Sequence, residues 1–298
     1  MADGMDRFRR RVDGWISRSP VVAVAWDALR GFFEHEGPMR AAAIAYYSVL
    51  AIFPTLMLLL IGASELLENG VSLDRLLARA AQELGVPVGV LHTTLDAILA
   101  ARGAIVGLSV VLLLVAVVPW GSAVQLGIIR AFGEERRSVA RSTAGNLLIL
   151  AAAGLLLLWI ETWGVVLALV ARALAWLFGS LPGWHLALAA AAVLVPAAVV
   201  FGVMAVLLRA IPSPHPAFRQ VWQGAAVTAI GFTVVRLGFE AYAAVFLTVA
   251  DLGGTVASLV VGLIFVDFLA VSVLVGAEVA AASARRSRTT PADVVPPR

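Results

Sequence analysis

Three ionisable residues stand where an apolar chain should carry none. Arg236 and Glu240 lie inside the hydrophobic stretch 221–249, and Asp267 lies inside the next one, 254–282. On an insertion scale each charge at the centre of a membrane helix costs roughly 2.5–3.5 kcal/mol, so three unpaired ones would cost about 8–10 kcal/mol. Arg236 and Glu240 are four residues apart and share one helix face. The connection 250–253 is short enough to force the two stretches into an antiparallel pair, so an Arg236–Asp267 contact is geometrically available. Two chemistries fit these residues. In one, Arg236 attracts an anionic group while Glu240 and Asp267 balance or relay charge along a polar pathway. In the other, an ion pair locks the last two helices together. Glu161, between Trp159 and Trp163, either snorkels to the membrane interface or belongs to the same pathway. Glu278, near the end of its stretch, reads as an interface hydrogen-bonder or a partner of Arg285 or Arg286.

Enzyme chemistry finds little footing. The chain has no cysteine, which excludes disulfides, thiol catalysis and thiolate-bound zinc. It has no Walker loop, no Gly-x-Gly-x-x-Gly cradle after a strand and no Gly-x-Ser-x-Gly elbow. His35, His92, His185 and His215 are scattered without metal-ligand spacing, so neither a metal nor another cofactor is expected. His35, between Glu34 and Glu36, could be a pH-sensitive or metal-binding spot, but its simplest reading is a solvated helix end. The net charge of +3 does not imply a nucleic-acid partner. Every basic residue is arginine, as a GC-rich genome would produce; bidentate phosphate contact is the sharper explanation.

The elements that must position these charges are membrane helices. Of 298 residues, 61% are hydrophobic and 14% charged, against about 45–50% apolar in a typical soluble domain. Six stretches are long enough to cross a hydrocarbon core of about 30 Å: 41–63, 104–126, 146–170, 186–208, 221–249 and 254–282. Proline interrupts three of them, at Pro54, Pro119 and Pro196, as hinges or as simple bends. Residues 1–40 read as interfacial helices. The first carries Phe8, Val12, Trp15 and Ile16 at helical spacing among arginines; the second, about 21–33, is too brief to span and is ended by 34–38. Residues 64–102 read as an extramembrane helical hairpin broken at Gly85-Val86-Pro87, and 283–298 as a disordered tail. The first twenty residues lack an apolar core, so the first span is expected to act as an uncleaved anchor.

Arginine counts orient the bundle. Seven lie before the first span, four after the second (with Arg136, Arg137 and Arg141 in a short basic loop), two in the proline-rich loop 209–219 and four in the tail. The opposite side has Arg75, Arg79, Arg102 and Arg172. The positive-inside rule then puts both termini in the cytoplasm and the hairpin outside it. The expected fold is all-α: a polytopic six-helix membrane bundle with N-terminal amphipathic helices.

The first span also carries a family signature. Ala42-Ala43-Ile44-Ala45-Tyr46-Tyr47-Ser48-Val49-Leu50, continuing to Phe53-Pro54, resembles that of the YihY/BrkB family of bacterial inner-membrane proteins. Ile211-Pro212, Gly224-Ala225, Gly253-Gly254 and Gly276-Ala277-Glu278 are similar to the family's pattern in the same order, over about residues 30–283. One departure bears on the charges. Where the family usually has a Trp–x–Tyr stretch, this chain has Phe265-Val266-Asp267. The resemblance implies six spans and an inner-membrane location, with ties to serum resistance and envelope lipid phenotypes. An older ribonuclease label on the family would need hydroxide-generating metal ligands, which these residues do not supply.

The expected function is passage of an anionic lipid, an envelope precursor or a small anion, with Arg136, Arg137 and Arg141 collecting headgroups. The alternative is a non-transporting scaffold or regulator of envelope assembly. Membrane lipids are the expected partners. The small residues at 41–45 and 253–254 are compatible with a homo-oligomer or an envelope-assembly partner, and equally with packing inside one chain.

Overall fold

The structure, a computed structural model, describes residues 20–67, 87–133, 143, 145–152, 169–171, 184–246 and 254–289. Every regular element among them is helical: α1 Pro20–Glu34, α2 Gly37–Leu67, α3 Val88–Ala100, α4 Arg102–Ala131, α5 Trp184–Ala210, α6 Phe218–Phe246 and α7 Gly254–Thr289. Five of these, α2 and α4 to α7, contain stretches long and apolar enough to cross a membrane. The proposed third span, 146–170, is helical at 145–152, but 153–168 lies outside the described residues, as does the first half of the proposed hairpin.

The chain divides into two compact units, one from Tyr46 to Trp120 and the other from the residues on either side of it. In the first, α3 is 13 residues long, about 20 Å and too short to span. It runs almost without a break into α4, because the Ala101 and Ile105 amides keep the i→i−4 pattern across the junction. Pro54 and Pro119 lie inside continuous helices, and Thr55 Oγ1 donates to the Ala51 carbonyl beside Pro54.

The second unit holds the charges. Its centre is the antiparallel pair α6–α7. Paired contacts run in opposite directions along the two helices: Gln220 with Ser287, Gln223 with Ser283, Gly231 beside Ser272, and Phe239 against Phe265 with ring centroids 4.4 Å apart. Their closest approach is at Gly224 and Gly276. A Cβ at Gly224 would overlap the Gly276 carbonyl, and one at Gly276 would overlap the Thr228 hydroxyl. That hydroxyl donates along its own helix to Gly224 at 3.1 Å, so it is satisfied although fully buried. Small residues do here what apolar attraction cannot do between helices in lipid, namely bring backbones close enough for dispersion to accumulate. On the other side α5 packs on α6, joined by a loop in which Ile211 and Pro212 are buried.

Several boundaries differ from the sequence expectation, with α2 and α4 running four and five residues past 63 and 126; two further differences bear on the site. The first span begins at Gly37 rather than residue 41, because the α1–α2 corner needs only His35 and Glu36. Glu36 takes the left-handed conformation (φ 59°) that ends a helix, and Pro38 sits in the first turn of α2, where its missing N–H is harmless. Gly37 is required at this corner, since a Cβ there would collide with the Phe32 ring. The second difference is α7, which continues through Thr289, seven residues past the expected end of the span. Its last turns are held: Arg286 pairs with Asp27 of α1 at 2.7 Å, and Arg285 donates to the carbonyl of Ala131 at the end of α4 at 2.9 Å.

Candidate functional site

The unit brings polar groups together at two levels of α7. At the deeper level, Arg236 of α6 reaches its own next turn and the neighbouring helix. Its Nε lies 3.0 Å from Glu240 Oε1, an ion-pair distance without hydrogen-bond alignment. Its Nη2 donates to the Ala192 carbonyl of α5 at 3.3 Å. Ala192 is the residue whose carbonyl Pro196 leaves open, because proline has no N–H to return to position i−4. The arginine therefore fills a gap made by proline. Asp267, half-buried on α7, has no ion pair with Arg236 among the described residues; the expected interhelical contact is replaced by the i,i+4 pair with Glu240. Helical geometry explains the choice. Glu240 is one turn along the same face, whereas Phe239 and Phe265 occupy the facing surfaces at this depth.

At the outer level, the end of α7 meets α1 and the α1–α2 corner. Glu278 is 3% exposed, and its Oε1 lies 2.6 Å from His35 Nδ1. The reading of His35 as a solvated helix end does not hold; Arg285 acts on Glu278 electrostatically, as the sequence suggested, while the hydrogen bonds of Arg285 and Arg286 reach Ala131 and Asp27. Arg40 fastens the corner by donating Nε to the His35 carbonyl at 2.9 Å and pairing with Glu36 at 3.2 Å. Glycine makes room for the carboxylate. A Cβ at Gly31 would run into Glu278 Oε2, and that oxygen is buried with no hydrogen-bond partner among the described residues. Sequence reasoning missed this pair because 243 residues separate its members. The available signal was a carboxylate followed only by small apolar residues in the last turns of a span.

Other positions singled out by sequence distribute as follows. Ala45, Pro54, Gly276 and Ala277 are buried; Tyr46 and Phe53 are exposed, Tyr47 is half-buried, and the two tyrosine rings meet edge to face at 5.2 Å. Pro119 and Pro196 interrupt α4 and α5. Glu161, Arg136, Arg137 and Arg141 lie outside the described residues. Among the described residues, no three His, Asp or Glu side chains come together as a metal site.

Long apolar helices carrying a few engaged charges define a multi-pass membrane protein. The chain belongs to the family described as Virulence factor BrkB, whose profile matches residues 28–295, which agrees with the resemblance carried by the first span. No curated protein and no solved structure matches it.

Proposed function

We propose that the protein is an inner-membrane transporter or channel for an anionic substrate: an anionic lipid, an envelope precursor or a small anion. The observation that supports this best is the exposure of the deeper pair. The Arg236 side chain is 31% exposed and that of Glu240 is 56% exposed, although both lie within a stretch apolar enough to span. Charges with that access are stable beside water and costly beside acyl chains, so a wet vestibule against α6 is the arrangement they favour. Arg236 is the group for the anion, because its guanidinium can exchange a single carbonyl and a poorly aligned carboxylate for a bidentate oxyanion. Glu240 and Asp267 set the local charge. The arginine distribution supports both termini in the cytoplasm, with lipids as the standing partners and no enzymatic step.

A second reading, a non-transporting scaffold of envelope assembly, draws support from the Arg236–Ala192 bond, which ties α5 to α6 without any substrate. Purified protein in liposomes decides between them. Flux of a fluorescent anionic lipid or of chloride that stops in a folded Arg236→Ala variant supports transport. No flux in the wild type, with Arg236→Ala changing only thermal stability, removes the transport reading and leaves the scaffold.

A further inference from the structure

Helix α1 is antiparallel to the end of α7 and tied to it at two levels, with Arg286 reaching the Ala23 carbonyl as well as Asp27 at the first. Asp27 meets Arg286, and His35 meets Glu278 eight residues further along both helices, about 12 Å away at 1.5 Å per residue. The two attachments differ in kind. The first is an exposed ion pair, with side chains 42% and 37% accessible. The second places a carboxylate in the interior with one oxygen matched and the other facing the bare backbone at Gly31. A buried anion with an unmatched oxygen is stabilised by whatever neutralises it.

We propose that Glu278 and His35 form a proton-binding site whose occupancy governs the seating of α1 on α7. The imidazole is the entrance, since its side chain is 31% exposed while that of Glu278 is 4% exposed. One proton passes from water to the ring, and the proton on Nδ1 moves to Glu278 Oε1; the net event is uptake of one proton. Oε2, walled off by Gly31, offers no onward step, so the site stores a proton rather than conducting one. Of the neighbouring charges, Arg285 and Glu34 also act on Glu278 electrostatically, with opposite signs. On α1, Arg30 pairs with Glu34 at 2.6 Å and Asp27 with Arg286; at the corner, Glu36 pairs with Arg40; on α7, Arg285 goes to Ala131 of α4; from α6, the Gln223 amide takes Ser283. With Glu278 neutral and the ring proton now on Nε2, the charge-assisted bond between imidazole and carboxylate becomes a weaker neutral one from the Glu278 hydroxyl to Nδ1. The second attachment is weakened, and the seating then depends more on the Arg286 contacts to Asp27 and the Ala23 carbonyl, which are partly exposed and weak on their own. This inference concerns the position of α1 and holds whether or not the protein transports anything.

The absence of cysteine makes the test direct. Spin labels at Val22→Cys and Ser287→Cys, both exposed positions, report the α1–α7 distance in the full-length protein in nanodiscs. Between about pH 8 and pH 4.5, a longer-distance population should appear on acidification. The ratio of released to seated molecules should rise about tenfold per pH unit through the transition, as uptake of one proton requires. Glu278→Gln should hold the released population at every pH. If that variant does not fold, Asp27→Asn replaces it; with the other attachment reduced to the Arg286–Ala23 bond, acid should release a larger fraction than in the wild type. A wild-type distance unmoved by pH, a pH response that persists in Glu278→Gln, or an Asp27→Asn response no larger than wild type overturns the proposal.

Discussion

Arg236 donates to the carbonyl of Ala192, the group that Pro196 deprives of its helical partner one turn earlier on the neighbouring helix. In a hydrocarbon environment an open carbonyl costs several kcal/mol, and so does an unpaired guanidinium. Placed together, each relieves the other. The charge in α6 and the proline in α5 are thus one feature of the α5–α6 interface, whatever further work Arg236 performs.

Pro196→Ala restores the missing N–H and closes the Ala192 carbonyl within α5. Arg236→Leu alone should lower stability by about 1–3 kcal/mol, the range for leaving a buried polar group unmatched. In the Pro196→Ala background the same change should lose less. Thermal unfolding of the two singles and the double in detergent gives the coupling; strictly additive losses would mean that the bond contributes nothing.

Arg236 and Asp267 should behave independently. Residues that share no contact add to within about 0.3–0.5 kcal/mol, so Arg236→Ala and Asp267→Ala should sum. A double mutant that recovers the stability lost by either single would restore the idea of an interhelical lock.

Glycines on one helix should respond with opposite signs. Gly224→Ala forces a methyl into Gly276 and Ala280 and should cost about 1–3 kcal/mol, as overpacking does. Gly238, also on α6, has open space around it, and Gly238→Ala should be neutral or stabilising by up to about 1 kcal/mol through helix propensity. Melting temperatures of the pair test whether the close approach lies where the packing places it; equal shifts would contradict it.

The outer face of α1 should contact lipid. Val22, Trp26, Leu29 and Phe33 recur at i, i+4, i+7 and i+11 and are all exposed, while Ala23, Ala28 and Phe32 are buried. Nitroxides at Trp26→Cys, Leu29→Cys and Phe33→Cys in liposomes should collide with dissolved oxygen more readily than with a water-soluble relaxation agent. The reverse ranking would put this face in water.

The helices, their apolar lengths and the family membership were written in residue order, because hydropathy, helical spacing and a local signature such as Tyr46-Tyr47 to Pro54 are properties of neighbours along the chain. The small residues of the α6–α7 crossing could also be seen there, since a membrane interface needs them. Partner choice could not. Arg236 had a carboxylate in the facing helix and another on its own, and the structure joined it to the nearer one and to a carbonyl that no charge count reveals. His35 and Glu278 each looked like an ordinary helix end until α1 folded back along α7, burying the carboxylate and half-burying the imidazole beside it. Sequence determined which groups had to be neutralised, because the membrane penalises every bare charge and open carbonyl. Tertiary packing alone decided which group neutralises which, since those pairings depend on distances between helices that the chain order does not encode.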